Sequence, residues 1–356
     1  MFKDVKTIIL ETNENCLIGG INEFQVFNNY LFILDRISAK SLYIFDKSGH
    51  FVRKIGQLGK GPGEYIKVID FTIDTKNGII YLLDFHYKIL KYKIDGTFIQ
   101  SFRIDLPDTN VQNIQYYNER LYVDALKYKP TKDDYMLFEI DVTTGKVLSQ
   151  SLPVILNKGF TESFFPGHSF FLSRLTTTPP KYAQWFMDDI ISISDYPKSH
   201  LLLQSKNLTT KKDIDKLQDG TDVIEKVKRL EALKETSKIY NIHNYIEHGN
   251  LIFFEYQQGK ESHSVLYNTN SQETQIAEYT ANDLVYQDST IRNHIRIMFF
   301  DQHGVYDVPA TGWVNSLQDF FIKQNKLATR LDKLDQLKQL PEDSNPVIFY
   351  YEFKDE

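Results

Sequence analysis

The stretch FDKSGHFVRKIGQLGKGPGEYIKVIDFTID, residues 45–74, decides the fold. It contains a turn, a short apolar run, a segment with four glycines and one proline, and an alternating strand. The glycine-rich segment could cradle a phosphate or connect two repeated units. A P-loop requires Lys and Ser or Thr after its last glycine, followed by a helix. Here Glu64 and Tyr65 follow, and residues 68–74 alternate like a strand, which favours a connector.

Internal repeats support this interpretation. The apolar runs that end at Asp35 and Asp84 are separated by 49 positions, as are those that end at Asp46 and Asp95. A glycine-containing turn follows each member of the second pair, because tight hairpins use side-chain acceptors and positive φ. A third copy ends at Asp141. A period in the upper forties with four short strands is typical of a β-propeller blade.

Three less regular units follow between residues 169 and 308, which makes six. A strand at 5–10 is left over at one end of the chain, and the strand at 347–353 leaves the sixth unit one strand short. We expect these two strands to pair and close the ring, because free sheet edges invite aggregation. The predicted fold is all-β: a six-bladed β-propeller of four-stranded antiparallel blades, forming a single domain over residues 1–356.

Two helical insertions are predicted, at about 211–239 and 314–340. The first has a helix that starts near Asp222, with Glu225 placed for a capping box. Each insertion carries a stripe of aliphatic residues. Packing of these stripes against the propeller is one interpretation, and a partner-binding helix is the other.

Composition limits the classes of function. The net charge is −6 and the pI is about 5.9, which disfavours a nucleic-acid partner because such proteins carry a basic face. The single cysteine, Cys16, excludes a disulfide within the chain and a cysteine-rich metal site. The sequence contains no run of eighteen apolar residues, so it predicts no membrane-spanning helix.

Three segments carry a resemblance to a known family: FDKSGHF at 45–51, GQLGKGPGEY at 56–65 and DFTID at 70–74. With them the chain resembles the bacterial six-bladed β-propeller proteins related to NHL repeats and TolB-like propellers. Members in Bacteroides-type bacteria are commonly exported envelope proteins or lipoproteins. The resemblance implies a periplasmic or cell-surface location. It also implies a longer precursor that carries an export signal, and a lipid anchor on that precursor is an open alternative. It defines no catalytic motif, so no catalytic residue is carried over.

Candidate binding residues come from the connector and from a long aromatic segment, residues 164–185. Long irregular loops of such composition can form a binding face. The alternative is an extended connection within a blade that binds no ligand. The candidates are Lys60, Glu64, Tyr65, His168, Arg174, Lys181, Tyr182 and Trp185.

No catalytic constellation stands out. The histidines lack metal-site spacing, and the serines of the aromatic segment lie outside a Gly-x-Ser-x-Gly elbow. We therefore expect a non-enzymatic propeller of the envelope that recognises a protein, peptide or glycan through one face, without a cofactor. The alternative is a metal-assisted hydrolase or lyase, similar to a lactonase or polysaccharide lyase, with calcium or zinc in the central channel.

Overall fold

The computed structural model describes residues 1–355 with several gaps. The gaps are residues 107–108, 128–129, 132, 161–169, 195, 220–221, 279, 288–294, 309–322 and 329. The described strands form six main antiparallel sheets, and the inner strands of neighbouring sheets contact one another around a central axis. The predicted six-bladed β-propeller is confirmed.

The first three blades follow the predicted repeat closely. From inner to outer strand, blade 1 comprises Glu23–Phe27, Tyr30–Asp35, Ser41–Asp46 and Phe51–Ile55. Blade 2 comprises Val68–Asp74, Ile79–Asp84, Lys88–Lys93 and Phe98–Arg103. Blade 3 comprises Thr109–Tyr117, Arg120–Lys127, Tyr135–Asp141 and Val147–Pro153.

The remaining blades are less regular. In blade 4 a single bridge at Phe171 takes the inner position, followed by Lys181–Tyr182, Asp189–Ser192 and Lys198–Leu202. Blade 5 comprises Ile239–His248, Leu251–Gln258, Glu261–Asn268 and Thr274–Ala277. Blade 6 comprises Ile297–Phe300, Gly304–Asp307, Val347–Phe353 and Phe2–Ile9.

The ring closes as predicted, through the two ends of the chain. Phe2–Ile9 pairs antiparallel with Val347–Phe353, and the register joins Val5 to Tyr351 and Ile9 to Val347. The N-terminal strand is therefore the outer strand of blade 6, and the edges at which it meets the C-terminal strand are paired.

The core lies between blades rather than in one central cluster. Alternate residues of each strand face the next blade, as the period of a strand requires. Blades 1 and 2, for example, pack Phe32, Ile44, Tyr65 and Phe71 together, all with little or no exposure. Cys16 is buried in the cluster that joins blades 1 and 6.

The repeated aspartates of the outer hairpins stabilise their turns. Asp46 accepts hydrogen bonds from the backbone N–H groups of Ser48 and His50, at 2.8 and 3.0 Å. Gly49 has a φ of +99°, and a Cβ there would lie 2.1 Å from the carbonyl oxygen of Ile9. This turn therefore requires glycine for both its backbone conformation and its close contact with the neighbouring blade.

The glycine-rich segment is a connector between blades 1 and 2, as predicted. Its two-residue strands Gln57–Leu58 and Glu64–Tyr65 pair in parallel. The carboxylate of Glu64 accepts from the backbone N–H of Gly61 and from the side chain of Gln57, each at 2.7 Å. These bonds lower the pKa of Glu64. The loop thus surrounds a carboxylate of its own, and a strand rather than a helix follows it.

The helical insertions differ in detail from the prediction. The first contains two helices, α1 (Lys211–Gln218) and α2 (Val223–Lys234). Asp222 caps α2 through the N–H of Ile224, whereas the reciprocal capping box lies at the start of α1. Leu230 of α2 is buried, but Val227 is 41% exposed, so the aliphatic stripe packs only in part.

Only part of the second insertion is described, and it contains α3 (Leu334–Gln339). The predicted start of this insertion, at about residue 314, lies outside the described residues. Leu337 of α3 is buried against the strands that close the ring. No helix within the described ranges is long and apolar enough to span a membrane.

Candidate functional site

The two faces of the propeller are built from different parts of each blade. Every inner strand begins on one face, which also receives the connectors from the preceding blade and the loops between second and third strands. We call this the funnel face. The inner strands end on the opposite face, in hairpin turns that lead to the second strands, and we call this the turn face.

A buried arginine lies on the central axis, between these two faces. Arg174, from the inner segment of blade 4, reaches across to the inner strands of three other blades. Its guanidinium donates to Glu23 in blade 1 at 2.9 Å, to Asp70 in blade 2 at 3.1 and 3.2 Å, and to the carbonyl of Ile114 in blade 3 at 2.8 Å. Its side chain is only 4% exposed. Arg174 therefore ties four blades together at the centre of the ring.

The two carboxylates that contact Arg174 differ in the number of hydrogen bonds that they accept. Asp70 also accepts from the backbone N–H groups of Phe71 and Ile114, both at 2.8 Å. Glu23 accepts through Oε2 from Arg174 alone among the described residues. Burial raises the pKa of Glu23 to about 7, although the positive charge of Arg174 opposes this shift. Glu23 is thus a carboxyl that gains or loses a proton near neutral pH.

A pocket of about 200 Å³ opens from Glu23 and Arg174 toward the funnel face. Polar and aromatic side chains from blades 1, 4, 5 and 6 line it. They include Asn22, Phe170, Asn241, His243, Asn244, Tyr245, Arg296, Phe299 and Phe300. A small concave site with convergent polar groups and a perturbed carboxyl pKa is a default candidate for ligand binding. We call it the funnel pocket.

The far wall of the funnel pocket is held by a buried carboxylate in blade 5. Glu255 has a 1% exposed side chain and accepts from Asn244 at 2.7 Å and from Ser264 at 3.1 Å. His243 lies 3.4 Å from the same carboxylate. Asn244 also accepts from the backbone N–H of Ile297, which joins blades 5 and 6. This wall is therefore rigid and already paired.

A larger cavity of about 770 Å³ lies on the turn-face side of Arg174. Its lining includes Thr176, His248 and His303, together with hairpin residues of several blades. The hydroxyls of Thr75 and Thr176 lie 2.6 Å apart, so the loop after Arg174 is attached to blade 2. Arg174 lines both cavities and separates them.

The loops of the funnel face expose large apolar side chains. Ile37 is 71% exposed, Ile66 50% and Phe85 46%. Ile37 and Phe85 lie in the loops after the second strands of blades 1 and 2, and Ile66 lies in the connector between these blades. We call these three residues the funnel-face patch. Leu17 and Leu58 are exposed in connectors of the same blades.

Buried aspartates fix the backbone beneath this patch. Asp84 accepts from the N–H groups of Ile66, Lys67 and Phe85, at 2.7–3.1 Å. Asp35 accepts in the same way from Gly19, Gly20 and the loop that contains Ile37. The apolar side chains are thus presented outward by loops whose backbone is fully paired at these points.

The predicted binding residues occupy several environments. Lys60 is exposed in the connector, and Glu64 is hydrogen-bonded within it. Tyr65 is fully buried between blades 1 and 2. His168 lies outside the described residues. Among the candidates that the structure describes, Arg174 alone lines the funnel pocket.

The other three candidates lie in and beside a strand that the sequence did not predict. Lys181 and Tyr182 form the second strand of blade 4 rather than part of a loop. Tyr182 donates to Asp124 at 2.7 Å, and Lys181 pairs with Glu247 at 3.1 Å. Trp185 stacks on Tyr240 with ring centroids 5.9 Å apart. Within the structure these side chains join blade 4 to its neighbours.

Sequence reasoning missed the partners of Arg174. Asp70 stands in an alternating strand with Thr72 and Asp74 on its polar face, which indicates a strand but not what that face contacts. Glu23 was not distinguished from other strand residues. No group of three or more His, Cys, Asp or Glu side chains that could hold a metal occurs among the described residues. Calcium or zinc at the axis stays an untested prediction.

Comparisons with known proteins give a family and a fold. A family model described as "Domain of unknown function (DUF4934)" matches residues 1–352. No curated protein matches the sequence.

Two solved structures share the architecture. A Bacteroides fragilis protein described as a "putative exported protein" has a TM-score of 0.75 and 21% identity, covering 99% of this chain and 95% of that chain. A member of the DUF4221 family from Bacteroides vulgatus has a TM-score of 0.59 and 13% identity, covering 99% and 97%. At these identities the similarity shows the fold alone.

Proposed function

Because this chain belongs to the DUF4934 family, a domain family of unknown function, we propose a role from its own surface: the propeller binds a protein partner through the funnel face. The observation that carries this proposal is the funnel-face patch. Its three members lie in loops on the same face, and apolar side chains that group on one face of a folded domain mark interaction sites. Fully burying one such side chain contributes roughly 1.5–3 kcal/mol, so Ile37, Ile66 and Phe85 together supply a useful anchor.

The position of the patch also favours binding. The backbone beneath Ile66 and Phe85 is held by Asp84, so these loops lose little further conformational freedom when a partner docks. The arrangement of a rigid apolar anchor beside a polar pocket fits the anatomy of a protein interface, with its apolar core and polar surroundings. A scaffold role, without catalysis, accounts for these features.

We place this activity outside the cytoplasm, in the bacterial envelope. The similar B. fragilis protein is described as exported, and the sequence resemblance implies the same location. Cell fractionation with a tagged full-length gene product tests this: recovery in the periplasmic or membrane fraction is expected, and recovery with the cytosol would contradict it.

A capture experiment with matched surface variants tests the binding role. The Ile37→Asp/Phe85→Asp double variant should bind a captured partner at least about 100-fold more weakly than the wild type, since central anchors each contribute about 2 kcal/mol or more. The control is Ile99→Asp/Ile276→Asp, which changes two exposed isoleucines on the outer strands of blades 2 and 5. A partner that both double variants retain, or that only the rim variant loses, would contradict the proposal.

A further inference from the structure

One oxygen of Glu23 in the funnel pocket lacks a partner. Oε2 accepts from Arg174, and no donor among the described residues contacts Oε1. Glu23 is only 5% exposed, yet it lines the pocket. Because Glu23 lines the pocket, a donor that enters the pocket can form a hydrogen bond with this oxygen.

The two buried carboxylates beside the pocket have only one cation in direct contact among the described residues. Glu23 and Asp70 share the single guanidinium of Arg174. Among the described residues, the other cations near the pocket already have partners or are exposed to solvent. Arg36 donates to the carbonyl of Ile69 at 3.2 Å, the exposed Arg296 lies 3.4 Å from the carbonyl of Ile21, and His243 faces Glu255. Solvent and salt screen the exposed arginine far more than they screen the buried carboxyls.

The shape and the remaining lining suit a cation on a thin alkyl stem. The rings of Phe170, Tyr245, Phe299 and Phe300 contribute to the wall, and aromatic faces attract ammonium groups. A volume of about 200 Å³ leaves room for the end of an alkylamine.

We propose that the funnel pocket receives a primary alkylammonium group, which donates to Oε1 of Glu23 and lies against the aromatic wall. Either a free amine or a lysine side chain of a protein partner carries this chemistry. In the second case the inference deepens the proposed function, since the lysine would enter the pocket beside the funnel-face patch.

Titration calorimetry on the purified chain tests this without any partner. The probes are Nα-acetyl-lysine methylamide, its uncharged norleucine counterpart, n-butylamine and sodium acetate. Binding of the lysine derivative or butylamine, with at least tenfold weaker binding of norleucine and acetate, is expected. A lysine derivative that binds more tightly than butylamine indicates a protein side chain, and the reverse indicates a free amine. Preferential binding of acetate, or equal binding of norleucine, would overturn the proposal.

The pH dependence of the wild-type protein is a second, independent readout. Since the pKa of Glu23 is raised to about 7, the carboxyl is protonated at pH 6 and must release that proton to bind a cation. Affinity should therefore rise about tenfold from pH 6 to pH 8, with proton release at pH 6. An affinity that falls or stays constant over this range would contradict the assignment.

A matched pair of variants completes the test. Glu23→Gln should lose ammonium binding and its pH dependence, whereas Glu119→Gln, in an exposed hairpin on the turn face, should keep both. Retention of binding by Glu23→Gln would overturn the proposal. If the amines bind but no partner requires the funnel-face patch, the proposed function fails while this inference stands.

Discussion

The funnel face and the turn face of this propeller are made by the same repeat but present different chemistry. On the turn face, the hairpins between inner and second strands are polar, and none of the exposed large apolar side chains in the described part of the chain lies in them. On the funnel face, Ile37, Ile66 and Phe85 point outward from loops of equal regularity.

This difference distinguishes residues that the fold requires in its turns from residues that it leaves free to vary. A hairpin turn needs residues such as Asp, Asn and Gly that satisfy its backbone, and Asn28, Asn118 and Gly249 occupy the hairpins between inner and second strands in blades 1, 3 and 5. The funnel-face loops satisfy their backbone through buried Asp35 and Asp84, which leaves the outward side chains free to vary. Folding does not require apolar residues at these outward positions, and their exposure is consistent with the proposed contact with a partner.

The largest effect is expected at the centre, which both faces share. Arg174→Met should leave Glu23 and Asp70 buried without a counter-charge, and breaking such a pair costs about 3–5 kcal/mol of unfolding free energy. Urea denaturation measures this loss. Arg120→Met is the control, because the Arg120–Glu139 pair is partly exposed and such pairs contribute about 0–1 kcal/mol. Equal losses in the two variants would contradict a central role for Arg174.

The aspartates beneath the two faces should differ in importance. Asp84→Ala removes a buried carboxylate that accepts three backbone N–H groups, at an expected cost of about 2–3 kcal/mol. Asp46→Ala removes a half-exposed carboxylate from a turn, where water can replace it and the cost should stay below about 1 kcal/mol. Thermal and urea unfolding check the order. A larger loss at Asp46 would reverse the comparison of the two faces.

Stability should fall with rising pH because of a buried carboxyl between blades 3 and 4. Burial raises the pKa of Asp124 to about 7, well above its value in the unfolded chain. Between the pKa of the unfolded chain and a pH of about 7, the folded state keeps a proton that the unfolded state has lost, so the wild type loses stability as the pH rises. Relative to the wild type, Asp124→Asn should therefore be more stable at pH 8 than at pH 5 by about 2–3 kcal/mol, the equivalent of two pH units. Melting curves of both proteins at the two pH values test this, and a variant that gains no stability relative to the wild type between pH 5 and pH 8 would contradict it.

The smallest effect separates two glycines. Gly49→Ala should cost about 1–2 kcal/mol, because its positive φ and its contact with Ile9 both exclude a Cβ. Gly20→Ala, on the funnel face, has no atom within 4 Å of the added Cβ and should be nearly neutral. Chemical denaturation of the two variants compares them. Similar losses of unfolding free energy in the two variants would contradict the explanation that the positive φ of Gly49 and its contact with Ile9 require glycine.

The fold was predictable where the repeat is local. Turn aspartates and glycines at a constant spacing fixed blades 1 to 3, and the need to pair free edges predicted the closure by the chain ends. Blade 4 was assigned less well, because its inner strand is reduced to one bridge at Phe171 and its second strand to Lys181 and Tyr182. Such short elements have no period to recognise.

The candidate site was predictable only in part. Arg174 was identified from its aromatic surroundings, but its partners Glu23 and Asp70 come from segments more than a hundred residues away. A single sequence shows which strand face is polar, but not which side chains meet across the axis. The funnel-face patch was missed because an isolated apolar residue in a loop carries no pattern of its own.

Site-specific photo-crosslinking in cells tests directly whether the funnel face binds a protein partner. A photo-reactive phenylalanine is placed at position 37 or 85 on the funnel face, and at position 28 or 118 in exposed hairpins of the turn face. Discrete crosslinked adducts are expected from positions 37 and 85, and none from positions 28 and 118. Adducts from the turn-face positions alone would contradict it.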